Sequence, residues 1–135
     1  MIIVSACQAG FPCRYDGKSK PCAKIMELLK EGKAVPVCPE QLGGMSTPRP
    51  PCEINAGRVM DINGIDNTDC YLRGAQAVLE IARMYGVEEA WLQSRSPSCG
   101  SERIYDGTFS KTLVAGDGIT AQLLKKNGIK VISIE

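Results

Sequence analysis

The chain has 135 residues, 44% of them apolar, which is enough for one domain with a single hydrophobic core. Sixteen basic and fifteen acidic residues leave a net charge of +1, so no overall field favours a nucleic acid polymer or an anionic membrane as partner. No apolar stretch approaches the roughly 18 residues of a membrane span, and residues 1–6 are too short for a signal peptide. We therefore expect a cytoplasmic protein. As its oligomeric state we expect a monomer or a homodimer.

Short apolar runs and one helical pattern define the first half of the chain. They predict a strand over residues 2–6, a helix over 22–31 and a strand over 34–37. Residues 39–66 are too rich in proline and glycine for a helix. Because structureless connections of this length are uncommon, we predict a functional excursion there, with a small hairpin between 54 and 62.

The second half alternates helices with strands. Its predicted elements are a helix from Thr68 or Asp69 to about residue 85, a strand over 88–94, a loop to Phe109, a helix over 119–126 and a strand over 129–134. Helices between strands indicate a parallel sheet with right-handed crossovers. We predict a single domain over residues 1–135 with a small doubly wound α/β fold, Rossmann-like or flavodoxin-like. It would have about four strands, helices on both faces and long loops after the strand C-termini.

The chain contains seven cysteines and no histidine. In a reducing compartment, cysteines indicate metal ligation or catalysis more than a disulfide framework. The absence of histidine excludes Ser-His and Cys-His catalysis and histidine-bound zinc. Thiolates and carboxylates must therefore supply any metal ligands and any proton transfer.

Three of the cysteines, Cys7, Cys38 and Cys99, each follow a different predicted strand. Side chains beyond the carboxyl ends of neighbouring parallel strands converge on one crevice, so these three could meet, although they could also be unrelated buried thiols. Their loops are rich in glycine, proline and serine, which suits a bound group. Three thiolates suit zinc or an iron–sulfur cluster and leave one coordination position open, as in a reactive centre.

Charged side chains near these cysteines are further candidates. Glu40 lies two residues beyond Cys38, where it could face the same site or the solvent. Arg14, Asp16 and Arg49 could bind a polar ligand, or could join loops through bidentate hydrogen bonds.

Six sequence blocks resemble those of one known family. They are SAC (5–7), CRYDG (13–17), CPEQLGG (38–44), TPRPP (47–51), SRSPSCG (94–100) and IYDGTF (104–109). They are similar to the thiouracil desulfidase family, also called domain of unknown function number 523, over almost the whole chain. The resemblance implies a compact α/β fold and a [4Fe–4S] cluster carried by Cys7, Cys38 and Cys99, with Cys13 as the alternative ligand. After handling in air the cluster could be absent or replaced by another metal.

The implied activity is removal of sulfur from a thiolated nucleobase such as 2-thiouracil, released as sulfide by hydrolysis without net redox change. In this interpretation the unligated iron binds the substrate sulfur, and Glu40 is the general base. Ser96, Ser98 and N–H groups around Gly100 would orient the substrate or the developing anion. Arg14, Arg49 and Asp16 would bind the nucleobase. The alternative is a non-enzymatic protein that binds a cluster, a metal or a nucleobase; thiol–disulfide chemistry is disfavoured because no Cys-x-x-Cys occurs.

Overall fold

The computed structural model describes residues 1–135 as an α/β protein with eight strands and four α-helices. In chain order the elements are β1 (Ile2–Ser5), a 3₁₀ turn (Ala6–Ala9), α1 (Ala23–Lys30), β2 (Ala34–Val37), α2 (Pro39–Leu42), β3 (Cys52–Asn55), β4 (Arg58–Asp61), α3 (Thr68–Met84), β5 (Glu89–Gln93), β6 (Arg103–Tyr105), β7 (Leu113–Ala115), α4 (Ile119–Lys126) and β8 (Lys130–Ile134). None of the helices is both long enough and apolar enough to cross a membrane.

A four-stranded sheet in the order β2-β1-β5-β8 forms the centre, and all its neighbouring strands are parallel. From β1 the chain first adds β2 on one side and then β5 on the other. The strand order therefore reverses between β1 and β5, where open α/β sheets bind their ligands. The prediction of a doubly wound parallel sheet of about four strands is confirmed.

Helices cover both faces of this sheet. On one face, Ile25 of α1 packs with Val4 and Ala34. On the other, the larger core cluster joins α3, α4 and the sheet. Its members from these elements are Ile3, Val37, Val78, Leu79, Ala82, Ala90, Leu92 and Leu124. The strands are thus buried from both sides, as their apolar runs indicate.

The long connections contain more regular structure than the sequence predicts. The excursion after β2 begins with the one-turn helix α2, which Pro39 can start because the first helical position needs no N–H. Its hairpin pairs β3 with β4, so the predicted bounds of 54–62 lie too late. The loop before α4 holds the β6–β7 ribbon, whose three-residue strands are too short to show an alternating pattern.

Candidate functional site

One cavity of about 420 Å³ lies beyond the carboxyl ends of β1, β2 and β5. Five of the seven cysteines line it, and these are Cys7, Cys13, Cys38, Cys52 and Cys99. All seven cysteines of the chain are free thiols. The three cysteines that follow strands thus reach the same cavity, together with two that follow none.

Cys7, Cys13 and Cys38 form one group of neighbouring thiols. Cys7 lies in the 3₁₀ turn after β1 and packs with Cys13 and Cys38. A hydrogen bond with Cys38 lowers the pKa of Cys13, but a bond with Cys7 and burial raise it, to about 11 overall. The bond with Cys13 and burial raise the pKa of Cys38 far above its ordinary value. Thiols in this state must lose protons to become ligands, so a bound cationic group has to compensate.

Cys99 enters from the loop after β5, whose backbone is fixed to the start of α4. The Ser98 carbonyl accepts the Thr120 and Ala121 N–H groups at 2.9 and 3.1 Å, and the Pro97 carbonyl accepts that of Ile119 at 2.8 Å. The loop thereby satisfies N–H groups that a helix start leaves without partners. Burial raises the pKa of the Cys99 thiol to about 12, against the lowering effect of the Ser5 and Ser98 hydroxyls.

The serines beside Cys99 have structural partners in this loop. The Ser96 hydroxyl accepts the Ser98 and Cys99 N–H groups at 3.1 and 3.0 Å, which leaves its own O–H free to donate. The buried Ser98 hydroxyl lies 2.8 Å from that of Thr120. The Gly100 N–H donates to the Ser96 carbonyl at 2.9 Å, so this one N–H of the group around Gly100 is not free to bind an anion.

Glu40 lines the cavity from the first turn of α2, two residues after Cys38. Helix α2 lies directly against α3 at a pair of glycines. A Cβ atom on Gly74 would collide with the Pro39 carbonyl, and one on Gly43 would collide with the Cys70 carbonyl. The close crossing of the two helices therefore sets the depth at which Glu40 enters the cavity.

Arg49 holds Glu40 in a buried ion pair. Arg49 Nε donates to Glu40 Oε2 at 2.6 Å, and the two side chains are only 4% and 12% exposed. Nη1 donates to the Ser46 carbonyl and the Thr47 hydroxyl, and Nη2 donates to the Cys13 carbonyl at 2.8 Å. Every nitrogen of the guanidinium thus has a partner within the protein. The guanidinium thereby fixes the position of Glu40, and the contact between Arg49 and a substrate stays a prediction.

The other two residues predicted to bind the substrate are Arg14 and Asp16, and only one of them lines the cavity. Arg14 lines the cavity. Asp16 does not line it, and its carboxylate accepts the Lys18 N–H at 3.0 Å, closing a turn on the exposed surface. Asp16 therefore shapes the loop that carries Arg14 and lies outside the cavity lining.

Three residues that sequence reasoning missed also line the cavity: Ser5, Tyr71 and Gln93. Tyr71 is almost fully buried on α3, and burial, followed by the nearby Glu40 and Cys52, raises its pKa well above the ordinary value. Ser5 and Gln93 stand at the ends of the two central strands. That position, at the carboxyl ends of predicted strands where a crevice is expected, is the signal that could have identified them.

The sulfur donors fit a cluster better than a single ion. No three His, Cys, Asp or Glu side chains are arranged to hold one metal ion. In a cluster each thiolate binds a different iron, so the ligands surround a volume instead of one point. Cysteines that reach one cavity from the ends of three different strands match this requirement.

The family model described as 2-thiouracil desulfurase matches residues 2–135. The chain belongs to this family. Its resemblance to the thiouracil desulfidases, inferred from the six sequence blocks, is thereby confirmed.

Similar proteins agree with this membership. A solved structure, the [4Fe-4S]-dependent thiouracil desulfidase TudS, is 46% identical, with a TM-score of 0.94, and the match covers 98% of this chain and 89% of that one. The uncharacterized protein YbbK of Bacillus subtilis (strain 168) is 44% identical, and the match covers 98% of this chain and 95% of that one. The 2-thiouracil desulfurase fold therefore extends over nearly the full length of both matches.

Proposed function

We propose that this 2-thiouracil desulfurase family member is a [4Fe–4S]-dependent desulfidase that converts the thiocarbonyl of a thiouracil to a carbonyl. The observation that carries the proposal is the arrival of Cys7, Cys38 and Cys99 in one cavity with Glu40 beside them, in a chain 46% identical to a [4Fe-4S]-dependent thiouracil desulfidase. The net reaction adds water across the carbon–sulfur bond and releases H₂S, so no electrons are gained or lost.

Cys7, Cys38 and Cys99 would hold the cluster, because they come from the ends of three adjacent strands. Cys13 contacts two of them and remains the alternative ligand. When bound, the cluster supplies a soft Lewis-acid iron that can hold the substrate sulfur and draw electron density from the carbon. A reducing cytoplasm suits a site of free thiols, and a monomer or a homodimer is proposed because one chain supplies all three proposed ligands.

Glu40 would take the proton from the attacking water. It is the only carboxylate that lines the cavity without donated backbone N–H bonds, since the other, Glu53, accepts those of Gly107 and Phe109 at 3.0 and 3.1 Å. Arg49 engages only Oε2 of Glu40, so Oε1 is the oxygen available for the proton. General bases are typically within hydrogen-bond reach of the proton they remove.

Other side chains would bind the nucleobase. Arg14 lines the cavity and is not paired with a carboxylate, so it can donate to a base carbonyl. The free O–H of Ser96 can donate to the substrate or the developing anion. Ser98, whose hydroxyl is bonded to Thr120, would act by fixing the Cys99 loop and not by touching the substrate.

Anaerobic reconstitution tests the proposal. The parent protein should take up iron and sulfide and release sulfide from 2-thiouracil, whereas Cys7→Ser should lose the cluster. Cys70→Ser is the matched control, because Cys70 is a half-buried thiol that does not line the cavity. Cys13→Ser decides between the two ligand sets. Saturable 2-thiouracil binding without sulfide release would instead indicate a binding protein.

Glu40→Gln separates cluster binding from catalysis. The variant should keep the cluster and lose about 10²–10⁴-fold in turnover, the range for a positioned acid–base group. Equal turnover by the loaded variant and the loaded parent would refute the role of Glu40.

A further inference from the structure

Ser5 and Gln93 form a polar pair between the two central strands of the sheet. Strands β1 and β5 pair in register through Ile3 and Val4, and just beyond this ladder the Gln93 N–H donates to Ser5 Oγ at 2.9 Å. Ser5 is 2% exposed, and both residues line the cavity. A buried serine that replaces a backbone acceptor here fixes the relative position of the two strand ends.

The same two side chains reach two of the proposed ligand sulfurs. Cys7 Sγ donates to Gln93 Oε1 at 2.6 Å. Ser5 Oγ accepts from the Gln93 backbone, so its O–H proton is free to donate, and the hydroxyl is near enough to the Cys99 thiol to lower the pKa of that thiol. The pair thus connects Cys7, which follows β1, with Cys99, which follows β5.

A cysteine that ligates a metal has no proton to donate, so its hydrogen bond to Gln93 must reverse. The side-chain amide has an acceptor at one end and an NH₂ donor at the other, with nearly the same shape. A half turn of the amide would present N–H to the sulfur without changing the volume of the site. The Ser5 hydroxyl already has its proton available and needs no change.

We propose that Gln93 and Ser5 are positioning residues that donate hydrogen bonds to the ligand sulfurs of Cys7 and Cys99 and so strengthen the electron-withdrawing character of the iron centre. The inference rests on the proposed function. Hydrogen bonds to ligand sulfurs remove electron density from the metal and raise its reduction potential. In a desulfidase that changes no oxidation state, the same effect makes the iron a stronger Lewis acid toward the substrate sulfur.

Three variants of the full-length, anaerobically reconstituted protein test this pair. Gln93→Leu removes the donor at similar size, Gln93→Glu leaves only an acceptor, and Ser5→Ala removes one hydroxyl. The control is Ser101→Ala, since Ser101 is a buried serine outside the cavity. The readouts are iron and sulfide content and the midpoint reduction potential of the cluster, with turnover measured separately.

We expect a lower potential than the parent in all three variants, with Gln93→Glu the lowest, and no shift in Ser101→Ala. Turnover per loaded cluster should fall by roughly 10–100-fold in the Gln93 variants, the usual effect of losing an outer-shell partner. Unchanged potentials in loaded Gln93→Glu and Ser5→Ala would overturn the proposal. If Gln93→Leu does not take up the cluster, the potentials of the other two variants decide whether the proposal holds. A parent protein that takes up no iron would overturn the proposed function itself, which is a different result from a loaded parent with insensitive variants.

Discussion

Glu40 and Cys99 reach the same cavity from segments that are fixed by different kinds of interaction. The loop that carries Cys99 is held by main-chain hydrogen bonds to the start of α4. The segment that carries Glu40 packs against α3 and depends in addition on one side chain, because Arg49 joins Glu40 to Ser46, Thr47 and Cys13. Backbone fixation tolerates most side-chain changes, whereas fixation through a single ion pair depends on both of its members. Substitutions in the two segments should therefore have unequal effects.

The largest loss of folding stability should come from Arg49→Met. Removing the cation leaves the nearly buried Glu40 carboxylate without its partner, which typically costs about 3 kcal/mol or more. Urea unfolding of the cluster-free protein under reducing conditions measures this loss. The double variant Arg49→Met/Glu40→Gln should recover part of the stability, because no unpaired charge remains. Equal stability of the single and double variants would show that the pair does not hold the segment.

Arg49→Lys separates the charge of Arg49 from the geometry of its hydrogen bonds. Lysine keeps the charge, but its ammonium cannot reproduce the planar set of contacts to Glu40, Thr47 and two carbonyls. We expect most of the stability to return while turnover of the loaded enzyme stays low, because Glu40 is no longer held in one orientation. The measurement is turnover per cluster beside the unfolding midpoint. Full recovery of turnover would mean that charge alone positions Glu40.

In the Cys99 segment, Gly118→Ala should cause the next largest loss of folding stability. Gly118 has φ of −65°, which alanine adopts readily, but an added Cβ would lie 2.5 Å from the Ser98 carbonyl oxygen. Relief requires movement of backbone, so we expect a loss of about 1–3 kcal/mol, typical of overpacking. Iron uptake should fall as well, since Ser98 precedes the proposed ligand. The control is Gly116→Ala, whose Cβ would meet only the flexible Ile104 side chain, at 3.2 Å.

The sequence predicts which cysteines meet at the site, but it does not predict the contacts that hold the two segments in place. The approach of Cys7, Cys38 and Cys99 follows from strand order, because parallel strands bring their carboxyl ends to one edge. The roles of Arg49 and Ser98 do not follow from sequence. Arg49 contacts Cys13 across 36 positions and Ser98 contacts Thr120 across 22, and no local pattern encodes such pairs. Helix α2 and the β6–β7 ribbon were missed because they are too short to show periodicity.

Thr120→Val in the Cys99 segment should cause a smaller loss of folding stability. The change keeps the shape of the side chain but removes the 2.8 Å hydrogen bond to the Ser98 hydroxyl. The loss should be about 1 kcal/mol, the usual net value of one hydrogen bond, because the main-chain bonds to α4 persist. Cluster content should stay near that of the parent. A loss of cluster as severe as in Gly118→Ala would show that the hydroxyl pair, and not the backbone, fixes the loop.

The smallest effect should come from Asp66→Asn, at the end of the excursion that carries Glu40 and Arg49. Hydrogen bonds from the Thr68 side chain and backbone, followed by one from Arg58, lower the pKa of Asp66 from 3.8 to about 2. Because the folded-state pKa is depressed, the charged carboxylate stabilises the fold above the unfolded pKa, and this contribution is lost as the pH falls through the folded value. Asparagine keeps an acceptor for Thr68 but loses the charge. The parent should therefore exceed Asp66→Asn slightly in urea midpoint at pH 6, and the difference should shrink as the pH falls from about 4 toward 2 in cluster-free protein. A difference that stays constant over this range would show that the carboxylate acts only as a hydrogen-bond acceptor, and that its charge does not help to fix the start of α3.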